Sequence, residues 1–115
     1  MYECFRGDDF EFEIEVRDQI TGSLVNLSSI DHLTVSFRKP PADDVLLVKS
    51  STNSAQISKG VNPALGIATV FLSGADTTAL GKGAFEFDCQ VTYADHTNHT
   101  SDTYVLMVKG DVSAP

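Results

Sequence analysis

Phe85-Glu86-Phe87-Asp88-Cys89-Gln90-Val91-Thr92-Tyr93 places an apolar side chain at every odd position and a polar one at every even position. Successive side chains of an extended chain point to opposite faces, so the stretch has one dry and one wet face along its whole length. It predicts the central strand of a core, with Phe85, Phe87, Cys89, Val91 and Tyr93 turned inward. The same two-residue period runs through Phe10-Glu11-Phe12-Glu13-Ile14-Glu15-Val16-Arg17. It recurs in His32-Leu33-Thr34-Val35-Ser36-Phe37-Arg38, where Leu33, Val35 and Phe37 face in. An amphipathic helix would repeat near 3.6 residues instead.

The segments between these strands read as turns and shorter strands. Gln19-Ile20-Thr21-Gly22 is a turn, and Leu24-Val25-Asn26-Leu27 reads as a short return strand closing a hairpin. Pro40-Pro41-Ala42-Asp43-Asp44 stops the next strand, because proline has no N–H for a ladder. Val45-Leu46-Leu47-Val48-Lys49 is an apolar run of strand length, and Ala55-Gln56-Ile57-Ser58 a short strand or edge segment. Asn62-Pro63-Ala64-Leu65-Gly66 forms a turn, followed by the β-branched and aromatic strand Ile67-Ala68-Thr69-Val70-Phe71-Leu72. Ser73 is a helix N-cap for a short helical turn through Leu80 that closes on Gly81 or Gly83. Residues 95–101 form a polar hairpin loop, Thr103-Tyr104-Val105-Leu106-Met107-Val108 the closing strand, and residues 109–115 a C-terminal tail. About seven strands with at most one short helical turn predict an all-β chain. Its expected architecture is a two-sheet antiparallel immunoglobulin-like β-sandwich, one domain spanning residues 1–115.

Composition narrows the partners. The 115 residues carry 8 Lys+Arg against 16 Asp+Glu, a formal charge of −8. Such a chain repels nucleic-acid phosphates and anionic headgroups, so neither nucleic acid nor membrane is an expected partner. The longest apolar run, Val45-Leu46-Leu47-Val48, is far short of the roughly 20 residues of a membrane span. Met1-Tyr2-Glu3-Cys4-Phe5-Arg6 lacks the basic-then-apolar layout of a signal peptide, so synthesis in the cytoplasm without secretion is expected. The acidity is uneven: residues 1–18 hold seven acidic and two basic residues. It reads as the wet face of one strand, which a basic neighbouring surface would complement.

The motifs weigh toward structure over chemistry. Arg6-Gly7-Asp8 sits where a glycine turn leads into a sheet, and Asp8-Asp9 reads as a solvated acidic turn without calcium-loop spacing. His96-Thr97-Asn98-His99, with Asp95 and Asp102, places two imidazoles near carboxylates, but on a loop with no rigid element behind it. A small metal-dependent enzyme built on His96 and His99 is the least favoured reading. Cys89 reads as a small buried hydrophobe and Cys4 as preceding the first strand; a bridge requires their strands to be neighbours. No nucleophile elbow, phosphate loop or dinucleotide fingerprint occurs. Asn26-Leu27-Ser28 and Asn98-His99-Thr100 match glycosylation sequons by chance in a chain that is not secreted. We expect no catalytic residues, no cofactor and no metal.

The order of these pieces resembles a known family. Phe5-Arg6-Gly7-Asp8-Asp9-Phe10, an alternating strand, and Gly22-Ser23-Leu24-Val25-Asn26-Leu27-Ser28 are similar to the opening of small β-sandwich domains of tailed bacteriophages. The best-known examples are N-terminal domains of baseplate upper proteins and tail-fibre adaptor proteins. The strand of residues 32–38, Gly66-Ile67-Ala68-Thr69-Val70-Phe71-Leu72, and Thr78-Ala79-Leu80-Gly81-Lys82-Gly83-Ala84-Phe85-Glu86-Phe87-Asp88 continue the likeness over residues 5–112. Phe85 stands where a tyrosine is commoner at an immunoglobulin-type corner. The resemblance implies a non-enzymatic virion component of the tail, baseplate or fibre-attachment region. Its implied partners are other phage structural proteins, in a symmetric oligomer, with no catalytic residues to carry over. The expected contact surface comprises Phe5, the acidic row Glu11, Glu13 and Glu15, and the apolar run Val45, Leu46, Leu47 and Val48. A carbohydrate- or surface-binding adhesion module is the alternative, with Tyr2 and Tyr104 as the aromatic residues available to a sugar.

Overall fold

A computed structural model describes residues 2–18, 20–60, 62–100 and 103–110. Among these, nine strands form in chain order: β1 (Tyr2–Phe5), β2 (Phe10–Glu15), β3 (Ile30–Arg38), β4 (Val45–Ser50), β5 (Ile57–Ser58), β6 (Ile67–Leu72), β7 (Gly83–Tyr93), β8 (Asn98–Thr100) and β9 (Tyr104–Lys109). One helix, α1 (Gly74–Leu80), joins β6 to β7. The larger sheet has the order β1-β9-β7-β3-β4, with β8 also on β7, and the smaller sheet is β2-β6-β5. Strands two, five and six of the chain thus face the rest across the core, which is the division of an immunoglobulin-like sandwich.

The alternating segments supply the core as their period requires. Phe12 and Ile14 from β2, Leu33, Val35 and Phe37 from β3, and Phe85, Phe87, Cys89 and Val91 from β7 are all buried. Phe87 lies at the centre of an aromatic cluster, 5.3 Å from Phe12, 5.1 Å from Phe37 and 5.3 Å from Tyr104 between ring centroids. Tilted and offset contacts of this kind add to the area each ring removes from water. Tyr93, expected inward, is half-buried and meets His99 edge-on.

Four local expectations change. Residues 24–27 do not form a return strand: the hairpin is reduced to a single bridge between Arg17 and Leu24. The Asp18 carboxylate accepts the N–H groups of Ile20 and Thr21, and Asn26 caps a 3-10 turn over Leu27–Ser29. These short side chains bond to nearby backbone and divert it from the ladder. Residues 95–101 are not all loop, because Asn98–Thr100 returns as β8 against Gln90–Thr92. Tyr2–Phe5, read as preceding the first strand, is itself a strand, and it pairs with β9 in parallel, unlike the antiparallel ladders elsewhere in the two sheets. Of the expected tail, Lys109 ends β9 and Gly110 follows it; residues 111–115 lie outside the described residues.

Candidate functional site

At one end of the sandwich α1 fastens the turn that carries Arg6-Gly7-Asp8. Ser73 and Asp76 form the capping box expected of a helix start: the Ser73 hydroxyl accepts the Asp76 N–H, and the Asp76 carboxylate accepts the Ser73 N–H. One turn further on, fully buried Thr77 accepts the Gly7 N–H at 2.9 Å; its own hydroxyl proton faces the carbonyls of Asp8 (3.0 Å) and Gly74 (3.1 Å). Asp9 accepts the Gly74 N–H at 2.7 Å. The approach is close enough that a Cβ on Gly74 would meet the Gly7 carbonyl at 2.5 Å, so only glycine fits there. Gly7 turns at φ +92°, a region that suits glycine. The tripeptide is thus anchored to the helix by its backbone.

The same end holds a lysine turned inward. Lys49, on the inner face of β4, is 8% exposed and donates to Asp76 at 2.6 Å. Burial pushes the Asp76 carboxyl up, but the bonds from Lys49 and Ser73 outweigh it and hold the group below its usual range. An open depression of about 570 Å³ lies over this pair, lined by Phe10, Glu11, Lys49, Phe71 and Asp76 among others. Three of its four charged residues are already engaged, Lys49 with Asp76 and Asp9 with α1, while Glu11 forms no ion pair among the described residues. Both members of the ion pair therefore hold the sandwich end together.

The expected contact residues fall on separate surfaces. Phe5 lies on β1 at one edge of the larger sheet, and Lys109 stands over its ring at 5.7 Å. Val45, Leu46 and Val48 lie on β4 at the opposite edge, four strand spacings or roughly 19 Å away. Leu47 differs from its neighbours: it turns inward and packs against the core. Glu11, Glu13 and Glu15 are exposed on the outer face of the smaller sheet, opposite Phe71, Thr69 and Ile67 of β6. Only Glu15 of the three is in an ion pair among the described residues, with Arg17 at 2.7 Å.

The two tyrosines considered for sugar stacking have other work. The Tyr2 hydroxyl donates to the Glu13 carbonyl at 2.9 Å, and the Tyr104 hydroxyl to that of Glu15 at 3.3 Å. Both rings belong to the aromatic cluster around Phe87. They close the free edge of β2 against the larger sheet, a role invisible without the pairing of β1 with β9.

His96 and His99 lie on the β7–β8 hairpin, His96 at φ 69° in the turn and His99 on β8. Asp95 accepts both the N–H and the hydroxyl of Thr97, which lowers its carboxyl below the usual range. Asp102, part of the same expectation, lies outside the described residues. No group of three or more His, Cys, Asp or Glu that could hold a metal forms among the described residues. Cys4 and Cys89 are both buried and form no disulfide. Strand β9 separates their strands, and Cys4 is level with Val108 and hence with Gly83, six positions or roughly 20 Å along β7 from Cys89. Burial pushes the Cys89 thiol up to about 12, which keeps it protonated and unreactive at neutral pH.

The chain matches no model of a known protein family, and no curated protein matches it. No helix among the described residues is long and apolar enough to cross a membrane.

Proposed function

We propose that this protein is a non-enzymatic structural component of a tailed-phage or prophage particle, placed in the tail, baseplate or fibre-attachment region. It assembles there through protein–protein contacts with other phage structural proteins, as part of a symmetric oligomer. The observation that carries the assembly role is the edge of the larger sheet: β4 exposes Val45, Leu46 and Val48 and borders no further strand among the described residues. An apolar sheet edge of this kind is a template for strand addition, which soluble proteins otherwise cover or charge. The likeness of residues 5–112 to tail β-sandwich domains supplies the particle context.

Mass spectrometry of purified particles tests the reading, together with hydrogen exchange of β4 in the particle and in the free protein. The protein is expected in the particles at stoichiometric amount, with the Val48 amide protected there and not in the free chain. Its absence from particles overturns the proposal.

A further inference from the structure

The β4 edge also has a polarity, and it says what kind of strand fits. Ser51 donates its N–H to the Leu33 carbonyl at 3.0 Å, and the pairs Val35 with Lys49 and Ser36 with Val48 continue that register. Bonded and non-bonded pairs alternate in an antiparallel ladder. Lys49 therefore turns its backbone groups to β3, whereas Val48 and Ser50 turn theirs to the free side. The Ser50 N–H is already taken by the Gln56 side chain at 3.0 Å. At the other end the register shifts between Phe37 and Arg38, which leaves Leu46 as an extra residue that bends the strand. The flat, open part of the edge is thus centred on Val48, with Val45, Leu46 and Val48 exposed at 54%, 53% and 48%.

The charge immediately preceding this edge is acidic. Asp43 and Asp44 immediately precede β4 and make no ion pair among the described residues. Of the cations around the β3–β4 turn, Arg38 lies within electrostatic reach of Asp43 but bonds Asp88 at 2.9 Å, Lys39 stands over the Phe85 ring at 5.7 Å, and Lys49 bonds Asp76. A second copy of this chain would bring another formal charge of −8 and another Asp43-Asp44 pair, with its own Arg38 and Lys49 equally committed.

We infer that β4 is a docking edge for an extended, basic segment of a different chain. The segment bonds the Val48 backbone, lays apolar side chains beside Val45, Leu46 and Val48, and places Lys or Arg over Asp43 and Asp44. The inference rests on the assembly role proposed above and names the partner's chemistry. So short an edge buries less than the roughly 1,200 Å² of a stable pairwise interface, so each contact is weak and a ring of copies gains by avidity.

The test is an NMR titration of the whole chain with synthetic ten-residue peptides of alternating valine and threonine. The peptides carry two lysines or two glutamates, placed at either end so that strand direction is not presumed. At low salt at least one lysine peptide is expected to perturb the Val48 amide and to bind at least tenfold more tightly than its glutamate counterpart. The margin should shrink as salt rises. The double variant Asp43→Lys/Asp44→Lys should reverse the preference. Val48→Pro should abolish binding while leaving the fold intact, because that N–H is outside the ladder to β3. Equal binding of both peptide types, no binding at millimolar peptide, or perturbation away from β4 would overturn the inference. So would self-association through β4 that strengthens with salt, the mark of a second copy. Protection of Val48 in particles combined with a failed peptide preference would remove the basic partner and leave the particle role. The reverse result would keep the edge chemistry and remove the role.

Discussion

Strands β7 and β4 lie one strand apart in the same sheet, separated by β3. Strand β7 is laddered on both sides and buries Phe85, Phe87, Cys89 and Val91. Strand β4 is laddered on one side, shows three apolar residues to solvent and buries a lysine. The more apolar sequence of the two is the more exposed strand. Strict alternation therefore marks a strand whose faces the core has sorted, whereas an unbroken apolar run at an edge marks a surface with another use. Exposed apolar residues scattered singly are ordinary, but three on one edge strand are not.

The largest effect should separate the two strands directly. Phe87→Ala removes the centre of the aromatic cluster and should cost about 3–5 kcal/mol by urea denaturation. Val48→Thr on β4, a swap of similar size on an exposed β-branched position, should stay within about 0.5 kcal/mol. A loss above 2 kcal/mol at Val48 would mean that β4 is packed and the comparison is wrong.

Next in size is the inward lysine. Lys49→Met should cost about 2 kcal/mol at neutral pH, below the 3–5 kcal/mol of a fully buried broken pair because Asp76 keeps 19% exposure and the Ser73 N–H. The pH dependence sharpens this. The folded-state carboxyl of Asp76 lies below its unfolded value, so the folded state favours the charged form. Its contribution is present above the unfolded pKa, about 3.9, and is lost as pH falls through the lower folded value. The stability difference between wild type and Asp76→Asn should thus be constant from pH 7 to about pH 5 and shrink toward pH 2. A constant difference down to pH 2 would show that Asp76 is not held ionised by Lys49 and Ser73.

Thr77→Val should follow, at about 1–2 kcal/mol, since it leaves the Gly7 N–H without its hydroxyl partner. Amide exchange at Gly7 should quicken in the same variant while exchange in β7 does not change. The smallest loss among the contact-breaking variants is expected at Tyr104→Phe, about 0.5–1 kcal/mol, because the ring stays in the cluster while the bond to the Glu15 carbonyl goes.

Much of the sandwich was legible because its signals are local. The period of β2, β3 and β7 names their buried faces, and Ser73 followed by Asp76 and Gly81 marks both ends of α1. The return strand at residues 24–27 was misleading for an equally local reason: Asp18 and Asn26 offer the backbone bonds that compete with pairing. Strand β1 was not legible, since four residues carry too short a pattern to outweigh a charged neighbour, and its partner lies about a hundred positions away. The apolar run of β4 was readable as a contact candidate. Which of its residues face out was not, because the extra residue at Leu46 resets the alternation.

The class of fold, the central strand and the start and stop of the helix all follow from side-chain period and from bonds within a few residues. Long-range packing sets the rest: Lys49 turns in to Asp76, Thr77 ties down the Gly7 turn, and Tyr2 and Tyr104 close the edge of β2. It also leaves β4 as the open edge. The physical reason is common to these contacts: each joins groups far apart along the chain, and whether they meet depends on strand order and register, which a two-residue period cannot encode.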